Sequence, residues 1–381
     1  MSASSDWDTI VIGLGAAGSA ALWQLAARGQ RVLGIDQYTP PHALGSSHGR
    51  SRIIREAYFE DPQYVPLVQR AYHGWRSLER SCDTPLLRET GGLMMGPVAG
   101  ALVSGARASA TEHALPHELL NAEQLHVRVP AFSVPSETVA VFEPRAGVLD
   151  PEACIHSMLH AAASVGASVV APERMLTWSA NERGVSVVTT NGVRTARQLV
   201  IALGPWASSQ LHGMHVPLVV ERNVLFWFKP ASRAELFTPE RFPVFLFDAT
   251  PECIWYGFPD TGDGIKVALH GSGHITTPDT IQREVHRDEV AYMRSLLDRF
   301  LPDANGELVE TVTCMYTKTP DEHFVLDRHP DHHNVIVASA CSGHGFKFAP
   351  VIGEMVAQLV TDPAQQVLPL FRAERFSITP G

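Results

Sequence analysis

"DTIVIGLGAAGSAALWQLAARGQRVLGID", residues 8–36, decides how the chain begins. The apolar run 9–12 reads as a buried strand, and Gly13-Leu14-Gly15-Ala16-Ala17-Gly18 turns out of it into a helix. Leu22, Leu25 and Ala26 line one face of that helix, Gly29 ends it, and 32–35 forms the next strand, closed by Asp36. The glycines have separate jobs in such a unit. Gly13 permits the tight turn, Gly15 lets the main chain approach a pyrophosphate, and Gly18 lets helix and strand pack closely. The helix N-terminus offers amide donors and the positive end of its dipole to phosphates. Asp36 stands where a carboxylate accepts hydrogen bonds from an adenosine ribose. G-x-G-x-x-G alone is a weak signal. With strand, helix and acid in register it predicts a bound adenine dinucleotide rather than an ordinary βα turn, without choosing between NAD and FAD.

The bulk numbers fit an enzyme of two packed domains: 381 residues, 45% apolar and 18% charged. A net charge of -10 argues against nucleic acid or anionic membranes as general partners. The five cysteines, Cys82, Cys154, Cys253, Cys314 and Cys341, are odd in number and scattered, which suits a reducing compartment. No apolar run is long enough to span a bilayer. The start "MSASSDWD" lacks signal-peptide character, and the tail "SITPG" carries no peroxisomal address. A cytoplasmic enzyme is the expectation.

Past Asp36 the regular alternation stops. A turn-rich loop, 38–58, precedes a helix marked by Val65, Val68, Tyr72, Trp75 and Leu78, and residues 85–145 break into short pieces. Pro151 opens a helix over 151–165, and a hairpin turned at Asn191-Gly192 runs on into "LVIALG". From about 216 to 310, "NVLFWFK", "VFLFD", "CIWYGFP" and "GIKVALH" are strand-like runs that predict an antiparallel sheet. "NVIVASA", a glycine loop and "PVIGEMVAQLV" then return to the first domain. The expected fold is α/β: a discontinuous Rossmann-type domain (1–84, 145–215 and 311–381) with an inserted antiparallel-sheet substrate domain (85–144 and 216–310).

Several basic residues stand out against the acidic background. Arg52 and Arg55 share neighbouring faces on a helical turn but opposite faces on a strand. Lys266 and His270 share one face of a strand with small Ala268 between them, and from the pattern alone that face is solvated. Lys347 follows a loop containing Gly343 and Gly345 and reads either as a surface lysine or as a cation beside amides aimed at a negative group. The crowded His323, His329, His332, His333 and His344 match no zinc spacing, so no metal is expected.

The combination of the N-terminal motif with "PPHALGSSHGRSRIIREAY", "IWYGFP", "GIKVALH", "CMYTKTPDEHFVLDRHP" and "CSGHGFKF" resembles the monomeric sarcosine oxidase and N-methyltryptophan oxidase family, within the glycine/D-amino-acid oxidase flavoproteins. The resemblance runs nearly end to end and implies FAD, a secondary amino acid as substrate and O₂ as electron acceptor. It implies that Cys314 anchors the flavin as a thioether, and that Arg55 and Lys347 clamp the substrate carboxylate. Lys266 then matches the lysine beside the flavin where oxygen is activated, and Arg52 and His48 match basic residues on its other side. Tyr256, His270 and Tyr316 match groups lining the amine cavity, Gly343 a main-chain position facing it, and Gly345 part of the cofactor loop.

Some positions depart from the family pattern. Arg50 and Glu56 replace an acid and a histidine, and Glu56, next to Arg55, is expected to lower its effective charge or to recognise a second cation. Cys341 stands for a bulkier apolar residue, which implies a wider pocket, and Leu246 falls in a variable part of the cavity wall. Sarcosine, a larger N-methyl amino acid, a cyclic one such as pipecolate and a glycated amino acid all stay open as substrates. A nicotinamide-linked dehydrogenase would leave Cys314 and the glycine loop unexplained, and a non-catalytic flavin-binding subunit would leave Lys266 and Lys347 without a purpose.

Overall fold

In the computed structural model, which describes residues 6–211, 213–250, 253–271 and 273–376, the strand Trp7–Ile12 lies inside an eight-stranded sheet. It pairs in parallel with Val32–Ile35 on one side and with Gly192–Ile201 on the other, so Ile12 faces both Ile35 and Ile201. The hairpin expected at Asn191-Gly192 is present, joining Gly184–Thr189 to Gly192–Ile201. The far end of that second strand pairs in parallel with His332–Ser339, the returning "NVIVASA" segment. These central runs are buried, which explains why they read as continuous apolar stretches instead of alternating ones.

Helix Ala16–Ala27 packs on this sheet against Pro151–Ser164 and the closing helix Ala349–Thr361. A Cβ at Gly353 would come within 2.5 Å of the Ala20 main chain, so the closing helix approaches as nearly as main chains allow. Helix Tyr64–Cys82 buries all five positions its spacing marks, from Val65 to Leu78. Burial of each is worth about 1.5–3 kcal/mol.

The second sheet has nine strands, three from residues 92–143 and six from 219–318. Its pairing is antiparallel except where Val244–Thr250 runs parallel to Gly92–Gly96. A domain boundary at 311 falls inside the strand Leu308–Lys318, which pairs along Val219–Phe228 with Cys314 opposite Asn223. Cys314 therefore reaches the site from the second sheet. Helices Ala101–Glu112, Ala122–Arg128 and Arg287–Phe300 were not evident in the sequence. The first is rich in Ala, Ser and Gly, which blurs a 3.6-residue apolar period.

A three-stranded sheet of Arg52–Ile54, Gly147–Leu149 and Leu87–Glu89 carries the basic "SRIIRE" segment. Among the described residues, no helix is long and apolar enough to cross a membrane. Residues 1–5 and 377–381, within the stretches read for targeting signals, lie outside the described residues.

Candidate active site

One continuous cleft takes its walls from both large sheets. Gly13, Gly15 and Asp36 stand at one end, and Arg55, Tyr316 and Lys347 at the other. Of the site residues expected from the motif and the family resemblance, Gly18, His48 and Lys266 do not line it, and neither do Arg50 and Glu56.

At the first end Gly13 has φ +86°, and a Cβ there would collide with the Ala202 carbonyl. A Cβ on Gly18 would fall on the Gly13 carbonyl, so Gly18 serves the close approach of helix and strand. The Leu14 amide donates to Asp36 Oδ2 at 2.7 Å and the Tyr38 amide to Oδ1 at 2.9 Å, which fixes the carboxylate at the cleft wall. Two polar atoms nearby, Ser46 Oγ and His48 Nε2, are buried without a partner in the protein. Orphaned buried polar atoms are rare in folded proteins. Beside a glycine turn and a helix start, the Ser46 hydroxyl, which lines the cleft, fits a polar ligand.

The middle of the cleft belongs to Arg52 and Cys314. Arg52 Nη2 donates to the Ser46 carbonyl at 2.8 Å and lies 3.8 Å from Cys314 Sγ. Cys314 is buried, and its sulfur reaches the same Ser46 carbonyl at 3.7 Å. Burial, then the Arg52 charge, pushes the His48 pKa down to about 3, so His48, matched by resemblance to a basic residue, is neutral here.

Lys266 is 2% exposed, which overturns the solvated face. Its Nζ donates to the carbonyls of Gly49 and Ser51 at 2.7 and 2.9 Å and to Ser51 Oγ at 3.0 Å. Phe258 and Trp227 flank the ammonium, with ring centres 4.7 and 5.5 Å away. Burial drives its pKa well below the ordinary value, and Arg52 adds to the effect. The loop over residues 49–51 covers this strand face, and strand alternation alone gives no sign of such a cover.

At the far end Arg55 and Lys347 meet around one ring. Tyr58 has the Arg55 guanidinium 4.3 Å and the Lys347 ammonium 5.4 Å from its centre. Arg55 is 2% exposed and Lys347 5%. Arg55 Nη2 donates to both oxygens of Glu60, at 2.6 and 2.7 Å. Burial alone would raise the Glu60 pKa, but the charges of Arg55 and Lys347 outweigh it and hold it at about 2. Burial and the Arg55 charge lower Lys347 to about 7. His344 Nε2 lies 3.0 Å from the Glu322 carbonyl and must donate there, so Nδ1 accepts from Tyr58 Oη at 2.6 Å.

Glu60 was not picked out from the sequence. Five residues from Arg55 in an irregular loop, it gives no periodic signal. Glu56, expected to moderate Arg55, turns instead to Arg145 at 3.1 Å. Arg50 also points elsewhere, to Glu310 at 2.5 Å and Asp263 at 3.6 Å. The wall beside the two cations is aromatic: Tyr256 and Tyr316 hydroxyls lie 3.3 Å apart, and the His270 ring centre is 5.9 Å from that of Tyr316. A Cβ on Gly343 would sit 2.9 Å from Tyr316 and 3.1 Å from His270, closing the space between them. Cys341 and Leu246 line the same end, with Cys341 Sγ accepting from the Thr317 amide at 3.3 Å.

A family profile described as FAD dependent oxidoreductase matches residues 8–359. The chain belongs to this family. It is 43% identical over 383 residues to a monomeric sarcosine oxidase of Streptomyces avermitilis, covering 99% of this chain and 100% of that one. It is 33% identical over 374 residues to an N-methyl-L-tryptophan oxidase of Yersinia pestis, covering 97% and 100%. The solved structure of NikD, an amino acid oxidase essential for nikkomycin biosynthesis, superposes with a TM-score of 0.83 at 25% identity, over 96% of each chain. In this FAD-dependent oxidoreductase the glycine turn, Asp36 and the orphaned Ser46 hydroxyl fit the dinucleotide. The cofactor left open between NAD and FAD by the motif alone is therefore FAD.

Proposed function

We propose that the chain is an FAD-dependent oxidase of secondary amino acids, with N-methyl amino acids of the sarcosine type as substrates. Each turnover takes the N-methyl amino acid, O₂ and water to the amino acid, formaldehyde and hydrogen peroxide. The supporting observation is that the cleft which begins at the dinucleotide turn ends at two buried cations beside an aromatic wall. The names of the relatives agree with this reading. It is also proposed to act as a monomer, in the cytoplasm, on a small-molecule substrate.

Bound FAD supplies the acceptor for the substrate's electron pair and passes it to O₂. The chain's own residues do the rest. Arg55 and Lys347 hold the carboxylate by charge-assisted hydrogen bonds, which orients the amine end. Tyr256, Tyr316 and His270 border the amine and its methyl group, in space left open by Gly343. Burial pushes both phenols up and the imidazole down, so all three are neutral and none is a strong base. A base is not required if the substrate reacts as its neutral amine. Arg52, with neutral His48 behind it, borders the cofactor. Lys266, anchored to the loop over residues 49–51, is assigned to the oxygen step, where a fixed dipole or charge favours reduced oxygen.

Sarcosine, an N-methylated aromatic amino acid and pipecolate, added without oxygen, should separate the substrate classes by how fast each bleaches the yellow colour. Aerobic hydrogen peroxide release then checks O₂ as acceptor. A flavin that no secondary amino acid bleaches removes the oxidase reading.

Cys314 is proposed as the covalent anchor, supported by its burial in the cleft against Arg52 and the Ser46 carbonyl. Acid precipitation of the wild type should then give a yellow pellet, and Cys314→Ser should give a colourless pellet with yellow supernatant. Equal retention of colour by both proteins would rule Cys314 out.

A further inference from the structure

The segment that carries Arg55 leaves the small sheet after Ile54 and has no helix or strand of its own. Its position therefore depends on what grips its main chain. The amides of Glu56 and Ala57 donate to the two carboxylate oxygens of Glu143, at 2.7 and 2.8 Å. Glu143 ends the strand Val139–Glu143 of the second sheet and is fully buried. Its charge is met by two main-chain donors where a buried carboxylate more commonly meets a cation. Arg55 Nη1 in turn donates to the Ala57 carbonyl at 3.0 Å, so the main chain held by Glu143 also braces the guanidinium. One residue on, Ser109 Oγ donates to the Tyr58 carbonyl at 2.5 Å. The Glu56 side chain points away to Arg145 and leaves this contact to the main chain alone.

We propose that Glu143 is the positioning residue for Arg55, fixing through two charge-assisted hydrogen bonds the loop from which the guanidinium enters the cleft. The inference rests on the assignment of Arg55 as a carboxylate anchor. Glu143 touches neither substrate nor cofactor in this role. The two oxygens of one carboxylate give each amide its own acceptor. Glu143→Gln keeps the shape but sets an N–H₂ against one of the N–H groups, and flipping the amide moves the conflict to the other.

The test uses holoenzyme and two readouts. Calorimetric titration with propionate, a carboxylate without the amine, reads the anchor directly, and steady-state kinetics with the best N-methyl amino acid separate KM from kcat. In Glu143→Gln, propionate affinity should fall and KM rise by about tenfold to a hundredfold, the scale of a misplaced binding group. Flavin content should match wild type, with kcat at saturation within about threefold. Unchanged affinity in a folded Glu143→Gln, or a loss confined to kcat, overturns the proposal.

If that variant does not fold, hydrogen exchange of the Glu56 and Ala57 amides in the wild type decides. Exchange as slow as in the neighbouring strands is expected, and rapid exchange overturns the proposal. A wild type that binds no propionate overturns it together with the anchor assignment. A wild type that binds propionate but is bleached by no N-methyl amino acid loses only the oxidase reading, and the effect of Glu143→Gln on binding still decides the role of Glu143.

Discussion

Replacing Arg55 with methionine should lower kcat/KM for the N-methyl amino acid by about thirtyfold to several thousandfold. The range corresponds to the ~2–5 kcal/mol lost when one partner of a buried, hydrogen-bonded charge pair is truncated. The same substitution also damages the protein. Glu60 keeps its position with both oxygens deprived of the guanidinium, and breaking a buried pair costs about 3–5 kcal/mol. Arg55→Met alone therefore confuses lost binding with lost stability. The double variant Arg55→Met/Glu60→Gln separates them, because it removes the stranded charge without restoring a cation. Its melting temperature should return towards wild type while kcat/KM stays low. If the double variant recovers activity together with stability, Arg55 is a structural partner of Glu60 and the carboxylate rests on Lys347 alone.

How much of this site could be read in advance depends on how local its determinants are. The dinucleotide turn was legible because one stretch contains the strand, the glycines, the helix and the acid. One of its conflicts lies within the motif itself, as the collision between a Gly18 side chain and the Gly13 carbonyl illustrates. Helix Tyr64–Cys82 was legible for a similar reason, since its own spacing records which face is buried. The solvated face read for Lys266 from the pattern alone failed because strand alternation says which residues share a face but not what covers that face. The cover comes from residues 49–51, more than two hundred positions away. Arg55 stood out as a basic residue, but its role came only through the family resemblance, and its partners were not found. Glu60 sits in an irregular loop, and Glu143 meets the Arg55 segment across 86 and 87 residues of chain. Glu56 looked the better partner because it is adjacent in sequence. Adjacent residues commonly point to opposite sides of extended chain, and Glu56 does so here.

The Arg55–Glu60 pairing also changes how charge is distributed at the carboxylate end. Glu60 neutralises Arg55, and His344, with its pKa lowered to about 3 by burial, contributes no charge. The net positive charge offered to an incoming anion is then that of Lys347, whose pKa lies at about 7. A lysine lowered this far is charged below that pH and neutral above it. Propionate affinity should therefore be greatest on the acid side and fall as pH rises through about 7, approaching tenfold per pH unit. Stability moves in the opposite direction. An unfolded lysine keeps its proton up to its ordinary value of 10.5, so between about 7 and 10.5 the unfolded chain binds more protons and the fold gains stability with pH. Lys347→Met should weaken propionate binding at low pH by about ten- to a hundredfold, the ~1.5–3 kcal/mol of a charged hydrogen bond. It should also flatten the pH dependence. Glu143, raised to about 7 by burial, titrates in the same range. Its ionisation would tighten the grip on the Arg55 segment and so raise affinity with pH, the opposite sign; Glu143→Gln should therefore weaken binding yet keep the fall, and a fall that survives in Lys347→Met would rule Lys347 out as its source.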